Sequence, residues 1–342
     1  MRLASLAIVF ALPGVGIAAA PAAAQPATDF YKGRTIELYI GYSAGGGYDV
    51  YARLLARHMG RHIPGNPNIV PKNMEGAGSL RAVNWLYNIG PKDGTAFATF
   101  GRGAPFDPLL GVKAAQFDGT RFSWVGSMND EVSVCVGWKG SGVTSVADLL
   151  TKELVVGGTG PSADTDQFPK VMNGALGTKM KVISGYPGGN DINLAMQRGE
   201  VKGRCGWSWS SVIATHGDWY RNKDITVLLQ LALHKHADLP DVPLVMDLAK
   251  TEEQTKILKL VFVRQALGRP FAAPPGVPAD RLAILRKAFM DTMVDKEFLV
   301  EADKAQLEIT PVAGEEIQRL VKEAYDVTPQ IAKKTVELLE GN

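Results

Sequence analysis

Residues 35–40, Thr-Ile-Glu-Leu-Tyr-Ile, alternate polar and apolar side chains, the period-two signature of a half-buried strand. Just beyond, Val50, Leu54, Leu55 and Met59 recur at helical spacing, with Arg53, Arg57, His58 and Arg61 between them. Strand patterns follow at 68–74, 94–100 and 122–128, with a helix over 80–87. The same grammar restarts with strands at 132–138, 154–158, 181–184, 201–207 and 225–231, and helices over 145–150 and from about 163. Such βαβ rhythm predicts sheets with helices on their faces. Residues 239–243, Leu-Pro-Asp-Val-Pro, read as a linker. The tail predicts helices over 251–264, from 278 or 279 through Met293, and over 315–339 with a break near Pro329. A short strand and stiff turn lie at 269–278. The expectation is two α/β domains, 25–129 with 240–342 and 130–239, the chain crossing between them twice.

Between the first strand and its helix stand Tyr42, Ser43, Ala44, Gly45, Gly46, Gly47, Tyr48 and Asp49. Successive glycines leave no Cβ to keep an anion from the backbone. The helix start adds unpaired N–H groups and a positive dipole end. The loop is therefore either a carboxylate or phosphate site, or a plain turn that needs glycine for its geometry. A second copy favours the site. Tyr186, Pro187, Gly188, Gly189, Asn190 and Asp191 again join a strand to a helix. Two such loops on opposite halves of a chain suit facing walls of a cleft.

Composition narrows the class. The chain has 342 residues, 46% hydrophobic and 21% charged, as in a globular protein with a substantial core. Basic and acidic side chains number 37 and 35, and no Lys/Arg run marks a nucleic-acid surface. Arg2 is the sole charge before Asp29, residues 3–12 are apolar, and Ala22-Ala23-Ala24 has the small-residue cleavage pattern. Residues 1–24 read as a secretory signal, and no Cys follows to carry a lipid. The expected location is the periplasm. Cys135 and Cys205 then either pair in an oxidising compartment or sit as two small buried hydrophobes.

Further candidates each have two readings. Residues 158–163 match G-x-G-x-x-A after a strand, but the next strand ends without the acid that holds a ribose. As a hydroxyl-rich helix start, Thr159, Ser162, Asp164 and Thr165 suit a carboxylate ligand instead. Arg102, followed by Gly103, stands just past a strand end, where it either forks onto a carboxylate or is solvated. Trp207 and Trp209 are either core or an apolar cleft wall. His58 and His62, four apart, read as a surface face rather than a zinc pair. No nucleophile-and-base arrangement is suggested, and no cofactor or metal is expected.

The ordered set Tyr31-Lys32-Gly33-Arg34-Thr35-Ile36, Gly45-Gly46-Gly47-Tyr48-Asp49, Met74-Glu75-Gly76-Ala77-Gly78-Ser79, Pro91-Lys92-Asp93-Gly94-Thr95, Gly185-Tyr186-Pro187-Gly188-Gly189, and the proline-rich 239–243 and 272–278 resembles the Bug/TctC family. These are periplasmic solute receptors of tripartite tricarboxylate transporters. The resemblance implies a flytrap of two domains, each a mixed sheet flanked by helices, with an organic acid in the cleft. It implies that the two glycine loops hold a carboxylate, that loops 100–105 and 158–165 read the rest, and that a monomeric receptor hands its ligand to membrane subunits. Three departures stand out: an acid at Asp164, Gly199-Glu200-Val201-Lys202 where the family often has Gly-x-Val-Asp, and the segment Arg204-Cys205-Gly206-Trp207-Ser208-Trp209-Ser210. A binding protein feeding a sensor kinase and a hydrolase using the same cleft are the alternatives.

Overall fold

The computed structural model describes residues 27–340, and the signal segment expected at 1–24 lies outside them. After a short helix α1 (Ala27–Phe30), the first lobe runs β1 (Thr35–Ile40), α2 (Gly47–His58), β2 (Asn68–Asn73), α3 (Leu80–Asn88), β3 (Ala96–Thr99) and β4 (Ser123–Ser127). A second run follows: β5 (Ser133–Trp138), α4 (Val146–Thr151), β6 (Leu154–Gly157), α5 (Asp164–Leu176), β7 (Met180–Ile183), α6 (Gly189–Arg198), β8 (Gly203–Ser208), α7 (Trp209–Arg221) and β9 (Ile225–Leu231). The tail comprises α8 (Glu252–Phe262), β10 (Pro270–Ala273), α9 (Ala279–Met293), α10 (Lys296–Lys304), β11 (Val312–Ala313), α11 (Gly314–Tyr325) and α12 (Pro329–Glu340).

These strands form two mixed sheets. One has the order β11-β4-β10-β3-β1-β2, the other β7-β6-β8-β5-β9. In the first, β1 pairs in parallel with β2 and β3, while β10 returns antiparallel between β3 and β4. In the second, β5 is antiparallel to β8 and β9, and β6 is parallel to β7 and β8. The alternation read in β1 is real: Ile36, Leu38 and Ile40 are buried. They meet Leu54 and Leu55 of α2, Phe97, Phe271 and Phe289 in one apolar cluster. A separate cluster in the second sheet gathers Val134, Ile192, Trp207 and Trp219. The break near Pro329 is present, with α11 ending at Tyr325 and α12 opening on the proline.

The sequence pattern missed α7, α10 and β11. Helix α7 carries Ser210, Ser211, Thr215 and Gly217, poor helix formers, and bends at His216 (φ −147°, ψ 32°), so its periodicity is weak. Burial of Trp209, Val212 and Trp219 outweighs that propensity. Cys135 and Cys205 are disulfide-bonded across neighbouring strands β5 and β8, with Cα atoms 3.9 Å apart. His58 is buried against Phe298, contrary to the expected surface face, and its Nε2 lies 2.6 Å from Glu301. The acids beside it, Asp295 and Glu297, are already engaged by Arg61.

Segments 128–131 and 265–269 run side by side between the sheets. Met128 N–H donates to Arg269 O (3.1 Å) and Glu131 N–H to Gln265 O (2.9 Å). Helices α8 and α12 pack on α5, beside the second sheet.

Candidate functional site

Three helices start at the gap between the sheets without a side-chain cap. Helix α2 follows Gly46, α5 follows Ala163 and α6 follows Gly188. Elsewhere, α4, α8 and α10 are capped by Ser145, Thr251 and Asp295, while α3, α7, α9 and α11 also lack a side-chain cap. Cap residues normally quench the first N–H groups, so leaving them out keeps donors and positive dipole ends available. The sequence places glycine or alanine where capping would be cheapest, which is a local sign of an anion site.

The two glycine loops face each other. A side chain at Gly46 would stand 3.9 Å from the backbone nitrogens of Gly189 and Asn190. Across this seam Ser43 Oγ donates to Asp191 Oδ2 at 2.6 Å. The loops differ in bracing. Asp49, expected at the ligand, turns back into its own loop. It accepts from Gly45 N–H (2.9 Å), Arg53 Nε (2.9 Å) and Asn73 Nδ2 (2.9 Å). Burial works against its charge, yet Arg53 and these hydrogen bonds hold its pKa below the usual carboxylate value. Asn73 also donates to Tyr42 O (2.8 Å).

A second seam brings backbone against backbone. Gly160 has φ +138°, and a Cβ there would run into Ala77 and Gly78 of the other lobe. Gly78, at φ +68°, faces Ala163 in the same way. The glycine of the dinucleotide-like motif therefore serves a close approach of two chains.

Between the seams lies a cavity of about 50 Å³. Of the residues named from sequence, Tyr42, Gly46, Gly47, Arg102, Thr159, Asp164, Thr165, Gly189 and Trp207 line it. Ser43, Asn190 and Asp191 form the adjoining seam, and Gly188 lies behind Ser43. Ala44, Gly45 and Asp49 belong to the outer turn of the first loop. Gly103 and Ser162 sit beneath, beside Arg264 and Asp107. Tyr186 packs outside against the second lobe's apolar cluster. Trp209 lies away from the cavity, its indole on Asp238 and Tyr220. Tyr48, Gly101 and Ala163 of the expected loops also line it, and Arg204, Gly206, Ser208 and Ser211, which sequence reading did not place at the ligand, complete the lining. Ser211 rides on the unrecognised α7. Arg204 fits a β-strand pattern and gives no local signal of its role.

Four guanidinium groups surround the cavity. Arg102, 2% exposed, places Nε 2.9 Å from Asp164 across the cleft and donates to Ser208 Oγ. Its charge is thus answered within the protein rather than left for a ligand or for solvent. Arg264 lies 3.5 Å from the other Asp164 oxygen and donates to Gln167. Arg269 pairs with Glu131 (3.3 Å) and donates to Ser208 (3.0 Å), Ser210 (3.0 Å) and Ser211 (2.7 Å). Asp107 accepts from Ser162 and Gln167 close to Arg264; burial pushes its carboxyl up to about 7 against the pull of these partners. Arg204 alone of the four faces no carboxylate at ion-pair distance. Burial and the nearby Arg269 charge bring its pKa down to about 9. His216, behind it, is held down at about 4 by burial and by Arg204.

The fold has solved counterparts. Periplasmic binding protein BugD superposes with a TM-score of 0.72 at 18% identity, over 90% of this chain and 98% of that one. Its structural neighbours are Bug/TctC periplasmic binding proteins. The resemblance read from the sequence, and the two-sheet fold it implied, are met. R. palustris Rpa4515 with adipate superposes at 0.69 and 17% identity, over 89% of this chain and 97% of that one. MatC from Rhodopseudomonas palustris with bound malate gives 0.69 and 16%, over 89% and 99%. A curated relative, the UPF0065 protein in the TAR-I ttuE-ttuC' intergenic region of Agrobacterium vitis, is 27% identical over 321 residues, 86% of this chain and 85% of that one. No family model matches the chain. Among the described residues no helix is long and apolar enough to cross a membrane.

Proposed function

We propose that this chain is an exported Bug/TctC-type receptor. It captures a small organic carboxylate between its two lobes and delivers it, as a monomer, to the membrane subunits of a tripartite tricarboxylate transporter. The observation that carries this reading is the cavity itself, lined from both lobes by uncapped helix starts and guanidinium groups. The carboxylates named with two structural neighbours, adipate and malate, support the ligand class. Residues 1–24 would be the export signal and the periplasm the place of work. No nucleophile-and-base pair is invoked: ligand is bound and released unchanged.

The mechanism is a population shift. A ligand that touches both lobes gains contacts in the closed form that the open form lacks, and so stabilises closure. The paired segments 128–131 and 265–269, hydrogen-bonded to each other, are the proposed hinge. Native mass spectrometry of protein purified from its host, followed by solution scattering with and without the acid found, tests the reading. A retained organic acid and compaction on binding are expected. A ligand chemically altered by the protein, or identical scattering curves, would reject it.

A further inference from the structure

The cleft holds one more cation than its own acids answer. We propose that Arg204 is the direct counter-ion of the ligand's carboxylate, and that the site takes a small monocarboxylate whose remainder is neutral. This deepens the solute-binding reading above and rests on it.

Three of the four cleft arginines have partners on the chain. Asp164 and Asp107 stand with Arg102 and Arg264, and Glu131 stands with Arg269. Arg204 donates only to neutral acceptors, Gly189 O and Asn193 Oδ1, both at 3.1 Å. Its Nε makes no hydrogen bond, which is equally true of the Nε of Arg102, Arg264 and Arg269, so what sets Arg204 apart is the missing carboxylate. Arg204 is half-buried, so its charge without a partner carries part of the desolvation cost, and an anion delivered to it recovers that part. The surroundings make the mismatch sharper. The guanidinium rests against the start of α6, whose dipole end is also positive. Two positive features have been packed together, which is unfavourable until a negative group joins them.

The chain makes specific room for this arrangement. A side chain at Gly189 would collide with the Arg204 guanidinium. Trp207 lies under it, 4.6 Å from the ring centre to Cζ, and fixes its plane. The group is therefore held ready before ligand arrives, which lowers the ordering cost of binding. The far wall explains why one carboxylate suffices. Asp164 lines the cavity and already serves both Arg102 and Arg264. A second ligand carboxylate directed there would meet like charge. Hydroxyls of Thr159, Thr165 and Ser211 line the rest, and suit a neutral or hydroxylated end.

The test begins with the purified protein screened by thermal shift against matched acids: acetate with malonate, lactate with malate, butyrate with succinate, benzoate with phthalate. The acid giving the largest shift is titrated by calorimetry into wild type, Arg204→Lys and Arg204→Gln, with its neutral amide as the control. The monocarboxylate of a pair should bind more tightly. Arg204→Gln should weaken it about 10- to 100-fold, as for loss of a charge-assisted hydrogen bond, and Arg204→Lys by less. The amide should bind weakly, and alike in all three proteins. The ligand-free melt of Arg204→Gln should equal or exceed that of wild type, because an unanswered cation is gone; a merely structural arginine would lower it. If the Gln variant does not fold, the Lys variant and the acid-to-amide ratio in wild type carry the decision. Preference for the dicarboxylate, or unchanged affinity in a folded Arg204→Gln protein, overturns the proposal and leaves a carboxylate receptor standing. Binding of none of these acids overturns the receptor reading as well.

Discussion

The two glycine loops look alike in sequence and are held in different ways. The first, ahead of α2, is tied to itself: Asp49 gathers Gly45, Arg53 and Asn73, all from its own lobe. The second, ahead of α6, sends its acid outward, and Asp191 accepts from Ser43 on the opposite lobe. One loop is set by local chemistry whether or not the lobes meet. The other gains a bond only when they do. The comparison teaches that equivalent motifs can be braced differently, one as a self-held platform and one as a latch between lobes, and that under the proposed function closure on a bridging ligand includes the latch energy.

The strongest way to break this scheme is to prevent the lobes from meeting. Gly160→Ala puts a Cβ into the backbone of Ala77 and Gly78 at a φ of +138°. Neither backbone yields as a side chain would. Carboxylate affinity should fall about 100-fold or more, through positive-φ strain and the lost closed form. Solution scattering should then show no compaction with ligand. Normal compaction would mean that the seam is not needed for closure.

Asp107 offers a different lever, since it joins the lobes through Ser162 and Gln167 while buried. Its carboxyl pKa is raised from 3.8 to about 7. The folded state therefore binds the proton more tightly than the unfolded state. Its contribution to stability is fully present below pH 3.8 and is lost as pH rises through 7. The slope is roughly 1.4 kcal/mol per pH unit at most within that window. Urea unfolding of wild type and Asp107→Asn across the window should diverge with pH, the variant gaining relative stability toward pH 7. Parallel curves would mean that Asp107 titrates normally.

The loop comparison itself is sharpened by removing each acid. Asp49→Ala leaves Gly45 N–H and Asn73 without their acceptor, and should cost about 1–3 kcal/mol of ligand-free stability. Asp191→Ala should leave the ligand-free melt unchanged and weaken binding about tenfold, the value of one cross-lobe hydrogen bond to a charged group. Equal effects of both changes on the melt would erase the distinction between platform and latch.

Much of this organisation is written locally. Period-two alternation in β1 and the apolar spacing of α2 need only nearest neighbours to be legible, and both are present. The even pair Cys135 and Cys205 leaves bonding and separate burial both open from sequence, and the pairing of β5 with β8 brings them together as a disulfide. Weakly periodic pieces were not legible. Helix α7 forms because Trp209 and Trp219 find burial, not because its residues favour helix.

The division is clearest among the arginines. The sequence by itself determined that uncapped, glycine-led helix starts would occur twice, because capping chemistry and glycine geometry are properties of a few consecutive residues. It could not decide which arginine keeps its charge free. Arg102 stands in a suggestive loop, yet Asp164, 62 positions away in sequence, neutralises it across the cleft. Arg204 stands in a strand that sequence marks only as unusual, and packing leaves it between Trp207 and a helix start with no acid at ion-pair distance. Ion pairing depends on distances of a few ångströms between residues far apart in the chain, so only the tertiary structure could settle that choice.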